Sequence, residues 1–100
     1  MPENTRDYEL IVIVVPQLDD QGVAGAIERF SNWVVTAGGT VGDTNIWGRR
    51  TLAYAIKKQT EGVYIQLNIQ LPPSMSRELE RNLRIDEQVV RHLLVCPDLD

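Results

Sequence analysis

Nucleophilic chemistry in this chain would have to use Cys96 and His92, its single thiol and its single imidazole. A thiolate nucleophile needs a base within hydrogen-bond reach and a third group to orient that base. The two residues lie four positions apart in "VVRHLLVCP", a stretch with strand character that Pro97 ends. In a strand they would share a face yet stand about 13 Å apart at the usual rise per residue. No acid has a claim to the orienting role, so the spacing argues against catalysis. One Cys and one His also fall two ligands short of a zinc site, unless carboxylates or a second chain supply them. A lone thiol closes no internal disulfide.

Other chemistry-bearing groups read the same way. Asp19-Asp20 and Asp86-Glu87 gather hard oxygens. Neither pair resembles an EF-hand loop, and both sit where helix caps and turns use acids. "GGTVGD" is glycine-rich, but it lacks the Lys-Ser/Thr of a phosphate loop and leads into a strand instead of a helix. The sequence therefore predicts no enzyme, no metal site and no cofactor.

One stretch does stand apart. "NIWGRRTLAYAIKK", residues 45–58, holds two arginines, two lysines, a tryptophan and a tyrosine, and no acid. The chain as a whole carries a net charge of -4. Outside this stretch 6 arginines face 14 acids, so the positive charge is segregated. If the stretch is extended, Arg50, Leu52, Tyr54 and Ile56 fall on one side and Trp47, Arg49, Thr51, Ala53 and Ala55 on the other. Leu52 and Ile56 are then expected to pack toward the core. Trp47 and Arg49 are expected to face outward near the irregular Gly48. Lys57 and Lys58 fall beside a turn read at "KQTEG". Guanidinium and ammonium groups beside exposed rings bind phosphates and stack on unpaired bases. The competing explanation is edge protection, since edge strands carry Lys and Arg against aggregation.

The elements that must position this stretch follow from the apolar pattern. "YELIVIVV" reads as a first strand with Leu10, Val12 and Val14 on one face and Ile11 and Ile13 on the other, ended by Pro16. A helix follows, capped by Asp19 or Asp20, with Val23, Ile27, Phe30 and Val34 on one face and Gly38 or Gly39 closing it. Strands are expected at about 40–56, irregular at Gly42 and Gly48, and at Val63 to Leu71 with clean alternation. Ser74 can cap a short helix bearing Met75, Leu79 and Leu83. "VVRHLLV" is the last strand, with its facing ambiguous between Val90, His92, Leu94 and Val89, Arg91, Leu93, Val95.

The order is β-α-β-β-α-β. Right-handed crossovers then give an α+β, ferredoxin-like βαββαβ fold: a four-stranded antiparallel sheet with two helices on one face. The first and third strands are central, and one sheet face is left without a helix. In that fold a small phosphatase would need an arginine in the loop after the first strand, where this chain has "PQLDDQG". A hundred residues, 43% of them hydrophobic, suit one domain over 1–100 with its core at about 6–96. The longest apolar run, "LIVIVV", is far short of a membrane span, and "MPENTRDYE" lacks a signal peptide's apolar centre, which implies a cytoplasmic protein.

"WGRRTLAYAIKK", preceded by "RDYE" before the first strand, resembles the bacterial small-subunit ribosomal protein six family. The matching residues are Arg6, Tyr8, Glu9, Gly48, Arg49, Arg50, Leu52, Ala53, Tyr54 and Lys58. "GAIERF" and "LERNLRIDEQVVRHLLV" are similar to the family's pattern as well, so the likeness covers about residues 6–96. The resemblance implies a ferredoxin-like fold without catalysis. It also implies binding to the central domain of small-subunit rRNA together with a protein partner, small-subunit ribosomal protein eighteen. By match, Arg6, Tyr8, Trp47, Arg49, Arg50, Lys57 and Lys58 become the candidates for RNA or partner contact, with Arg84 and Arg91 as lesser ones. Ala55 stands where the family often has proline, and the charged carboxy-terminal tail of many members has no counterpart before Asp100.

Two readings of function follow. The first is a structural, RNA-binding component of the small ribosomal subunit. The second is a ferredoxin-like ligand- or metal-sensing module that self-associates through its open sheet face.

Overall fold

The structure, a computed structural model, describes residues 4–97. Readings that touch residues 1–3 and 98–100 lie outside the described residues. The elements are β1 (Arg6–Val14), α1 (Asp20–Thr36), β2 (Thr40–Ile56), β3 (Gln59–Leu71), α2 (Ser76–Ile85) and β4 (Val89–Val95). The sheet runs β2-β3-β1-β4, and every neighbouring pair is antiparallel. This is the expected ferredoxin-like arrangement with β1 and β3 at the centre.

Alternation decides which side of the sheet is buried. Leu10, Val12 and Val14 of β1 and Val63, Ile65, Leu67, Ile69 and Leu71 of β3 point to the helices, each at 6% exposure or less. They meet Val23, Ala26, Phe30 and Val34 of α1 and Leu79 and Leu83 of α2 in one continuous core. Ala26, not Ile27, is the fully buried residue of that α1 turn; Ile27 borders it. Asp19 caps α1, its carboxylate accepting the Gly22 N–H at 2.7 Å. Gly38, at φ +92, ends it.

Three expectations need correction. The second helix starts later than expected: a single 3-10 turn, Pro73–Met75, comes first, and α2 starts at Ser76 with Met75 at its N-cap position. The "KQTEG" turn is not the reversal; β3 already begins at Gln59, so the chain turns on Lys57 and Lys58 alone. The ambiguity of β4 resolves into neither set, because the pairing with β1 slips between Ile13↔Arg91 and Val14↔Val89. That β-bulge places Val90 beside Ile13, on the face opposite Val89. His92 and Leu94 then pair with Val12 and Leu10 on the helix side, and Arg91 and Leu93 with Ile13 and Ile11 on the other.

The helix-free face has a cluster of its own. Ile13, Val90 and Leu52 are buried together there, at 8%, 4% and 7% exposure, with Val15, Ile56 and Tyr64 against them. Leu52 and Ile56 thus pack inward as expected, but into this second cluster on the far side of the sheet from the main core. The β2–β3 hairpin outruns β1, whose last pairing with β3 is Val14↔Val63, and its end curls over this cluster. Gly62 makes room for it: a Cβ there would lie 2.3 Å from Ile13 Cγ2.

Gly62→Ala is therefore expected to destabilise the fold by about 1–3 kcal/mol through overpacking against Ile13. A urea midpoint lowered without a change in slope would show it; an unchanged midpoint would mean that the arm does not press on β1.

Candidate nucleic-acid interface

Gly48 decides how the basic stretch is displayed. It sits at φ +95, a conformation that favours glycine, where the β2–β3 pairing slips between Ile46↔Ile65 and Gly48↔Tyr64. The extra residue is Trp47. The slip brings Trp47 onto the helix-free face, stacked on Tyr64 with ring centroids 6.1 Å apart and planes 9° from parallel. Arg50 joins them, its guanidinium carbon 5.6 Å from the Trp47 centroid and 5.9 Å from that of Tyr64. Strict alternation assigns Trp47 to the side of Arg49; the bulge moves it to the side of Arg50.

Arg49 goes the other way. It pairs with Val63 on the helix side, and its Nη2 donates to the Pro16 carbonyl at 2.7 Å, tying β2 to the β1–α1 loop. On the helix-free face Arg91 Nη1 donates to Tyr54 Oη at 3.1 Å. Lys57 Nζ donates to the Val89 carbonyl at 3.3 Å, across the end of the sheet. A hollow of about 240 Å³ lies at the foot of this group, lined by Ile11, Ile13, Trp47, Tyr64, Arg91, His92 and Leu93. The structure thus gathers Trp47, Arg50, Lys57, Lys58 and Arg91 at one end of the molecule, with Tyr54 and Tyr64, which the pattern had not singled out as contacts. Arg49 stands at the same end on the opposite side of the sheet.

Arg6 and Tyr8 are elsewhere. Arg6 pairs with Leu71 at the start of β1, about 25 Å from Val14 by strand rise. Tyr8 points to the helix side and packs against the core. That far end of the open face is polar and acidic: Asp7 accepts from Gln70, and Glu9 and Asp43 line the same hollow of about 530 Å³. Arg84 lies on α2, in the helix layer.

Electrostatics distinguish this group from an ordinary salted surface. Among the described residues, Arg29 is the one arginine or lysine within 4.0 Å of a carboxylate, at 2.7 Å from Asp86. None of the hairpin cations is paired with a carboxylate among the described residues. Arg49, Lys57 and Arg91 donate to neutral oxygens, which leaves their charge uncompensated. A stacked aromatic pair with a guanidinium over it offers a flat, cationic surface on which bases stack. His92 Nε2 lies 3.6 Å from Glu80 on α2, so it faces the helices and not a nucleophile; Cys96 follows β4, half-buried. Among the described residues no group of three His, Cys, Asp or Glu gathers to hold a metal ion.

Comparison with known proteins agrees with this architecture. A family model described as Ribosomal protein S6 matches residues 7–96. The chain is 41% identical over 93 residues to the small ribosomal subunit protein bS6 of Beutenbergia cavernae, covering 93% of this chain and 97% of that one. It is 43% identical over 94 residues to the protein of the same name from Salinispora arenicola, covering 94% and 98%. The crystal structure of 30S ribosomal protein S6 from Thermotoga maritima superposes with a TM-score of 0.84 at 25% identity, over 92% of this chain and 87% of that one.

The lysine turn can be tested without a ligand. Lys57 and Lys58 adopt φ 50 and φ 67, the left-handed values of a two-residue hairpin turn that Asn-Gly or Gly-Gly normally supplies. A side chain there costs about 1–2 kcal/mol, partly offset in glycine by the chain entropy it adds to the unfolded state. Lys58→Gly, which spares the Lys57 hydrogen bond, should raise stability by about 0.5–1 kcal/mol. Chemical denaturation of the two proteins measures the difference directly.

Proposed function

The chain belongs to the ribosomal protein S6 family, and from that premise we propose that it binds the central domain of small-subunit rRNA jointly with small-subunit ribosomal protein eighteen. Membership makes it a structural, non-catalytic component of the small ribosomal subunit, in the cytoplasm of a bacterium. The proposal concerns how it is held there. Its chief support is the unneutralised cationic and aromatic end of the helix-free face, built by Trp47, Arg50, Tyr54, Tyr64, Arg91 and the Lys57–Lys58 turn.

Each part has a separate task. Lys57 and Lys58, at the tip, meet phosphates as point charges. Arg50 and Trp47 form a platform for an unpaired base, and stacking of that kind is worth about 1–3 kcal/mol per base. The apolar centre of the face, Ile11 and Leu93, with Leu93 at 52% exposure, suits a protein partner better than RNA. The acidic far end, with Asp7, Glu9 and Asp43, suits a basic partner. Few phosphate contacts give weak, salt-sensitive affinity, so a protein of net charge -4 gains by binding RNA with a basic companion.

The structure sharpens which substitutions should matter. Trp47→Ala with Arg50→Ala should weaken joint binding to a central-domain transcript by about tenfold or more. Lys57→Ala with Lys58→Ala should make binding less sensitive to salt. Filter binding or calorimetry, with and without the partner, reads both effects, and circular dichroism checks folding. Wild-type affinity in both folded variants would show that the hairpin is edge protection and not an RNA contact.

A further inference from the structure

A second set of free cations lies outside the hairpin. α2 carries Arg77, Arg81 and Arg84 at i, i+4 and i+7, a spacing that puts them on one helical face. The opposite face holds Leu79 and Leu83 in the core. All three arginines are exposed, and none has a hydrogen bond or ion pair among the described residues. They line a groove of about 550 Å³ with Glu80 and Ile85, the latter 71% exposed. Glu80, the one acid in the groove, lies near His92.

Position gives the stripe its meaning. α2 ends where β4 begins: the Val89 N–H donates to the Asp86 carbonyl, and the Val89 carbonyl accepts from Lys57 Nζ. The Arg84 end of the stripe therefore stands at the same end of the molecule as the lysine turn. From there the charges run back along the helix for about 10 Å, at 1.5 Å per residue. A helix-dipole role explains Arg84, in the last turn, but not Arg77, in the first, where a cation is disfavoured.

We propose that the outer face of α2 is a second contact for RNA phosphates, with Arg77, Arg81 and Arg84 as the phosphate-binding groups and Arg84 as its junction with the hairpin. This rests on the RNA-binding reading above. Within the groove three unpaired guanidiniums stand against one carboxylate, Glu78 and Glu87 being exposed on and just beyond the helix but outside the groove lining, and that local excess of positive charge suits a polyanion. Continuity with the hairpin makes that polyanion the same RNA, gripped around one end of the fold. The exposed Ile85 at the rim would lie against a sugar edge.

The test uses the full chain with the same transcript, with and without the protein partner, titrated across a series of salt concentrations. Replacing Arg77, Arg81 and Arg84 together with Gln, a good helix former, should weaken binding by about tenfold or more at moderate salt. The slope of log affinity against log salt should become shallower by about 2–3, near 0.7–0.9 per lost phosphate contact. Glu80→Gln should act in the opposite direction and tighten binding, which keeps the proposal testable even if the triple variant folds poorly. Unchanged affinity and slope in a folded triple variant would overturn it while the hairpin variants still lose binding. Weaker binding at an unchanged slope would overturn it too, as would loss of partner binding in the absence of RNA, which would make the stripe a protein contact. Failure of the wild-type protein to bind the transcript under any of these conditions would overturn the RNA-binding reading itself.

Discussion

A sheet covered by helices on one side only must deal with its other side, and here the solution shapes the molecule. Both helices pack over Leu10, Val12, Val14 and the β3 row from Val63 to Leu71. What remains is a face with Ile11 and Ile13 at its centre and no helix to bury them. The β2–β3 hairpin is longer than the strand beside it, and it supplies the cover at one end. Leu52 comes down on Ile13 and Val90, with Ile56 and Tyr64 around them. This small cluster anchors the hairpin end that carries Tyr54 and Lys57. Beyond Leu52, Tyr54 meets Arg91 and Lys57 reaches the Val89 carbonyl.

Two of the sheet's register shifts serve that arrangement. One at Trp47/Gly48 turns a tryptophan onto Tyr64 and under Arg50. Another at Val90 lets β4 put an apolar residue into the cluster while Arg91 and Leu93 keep their places on the face. Both add one residue to an edge strand, and both break the regular hydrogen-bond row that an incoming strand would need. The irregularities therefore guard the edges and aim the side chains together.

Much of this is legible in the residues, and the exceptions share a cause. The order of elements, the central place of β1 and β3, and the limits of β2 and β4 follow from alternation and proline stops. The Asp19 cap and the Gly38 closure follow from residue chemistry at helix ends. What fails is parity counting through a bulge. Gly48 marks an irregular point in the sequence, but the period-2 pattern cannot tell which side Trp47 takes once a residue is added. The same slip at Val90 makes both facings of β4 partly right. The turn at Lys57-Lys58 is illegible for another reason: left-handed lysines contradict the residue preference that identifies such turns. The α2 arginines are visible as a spacing, but whether they are free depends on where Glu78, Glu80 and Asp86 go, and only coordinates show Asp86 committed to Arg29 and Glu80 facing His92.

Under the proposed function, charge segregation would also explain how an acidic chain can serve a polyanion. The molecule is 45 Å along its longest axis, and the acidic hollow of Asp7, Glu9 and Asp43 sits at the opposite end of β1 from the hairpin. At physiological ionic strength the Debye length is about 8 Å, so those carboxylates are several screening lengths from an RNA held at the tip. Their repulsion there is small, and the local cations govern contact. Close approach at the wrong end meets unscreened carboxylates instead. Under the proposed function the far end of β1 suits a basic surface, while the hairpin cations share their end with Glu61, which pairs with Thr51. A uniformly basic protein of the same shape would bind RNA more tightly, but it would have no preferred end.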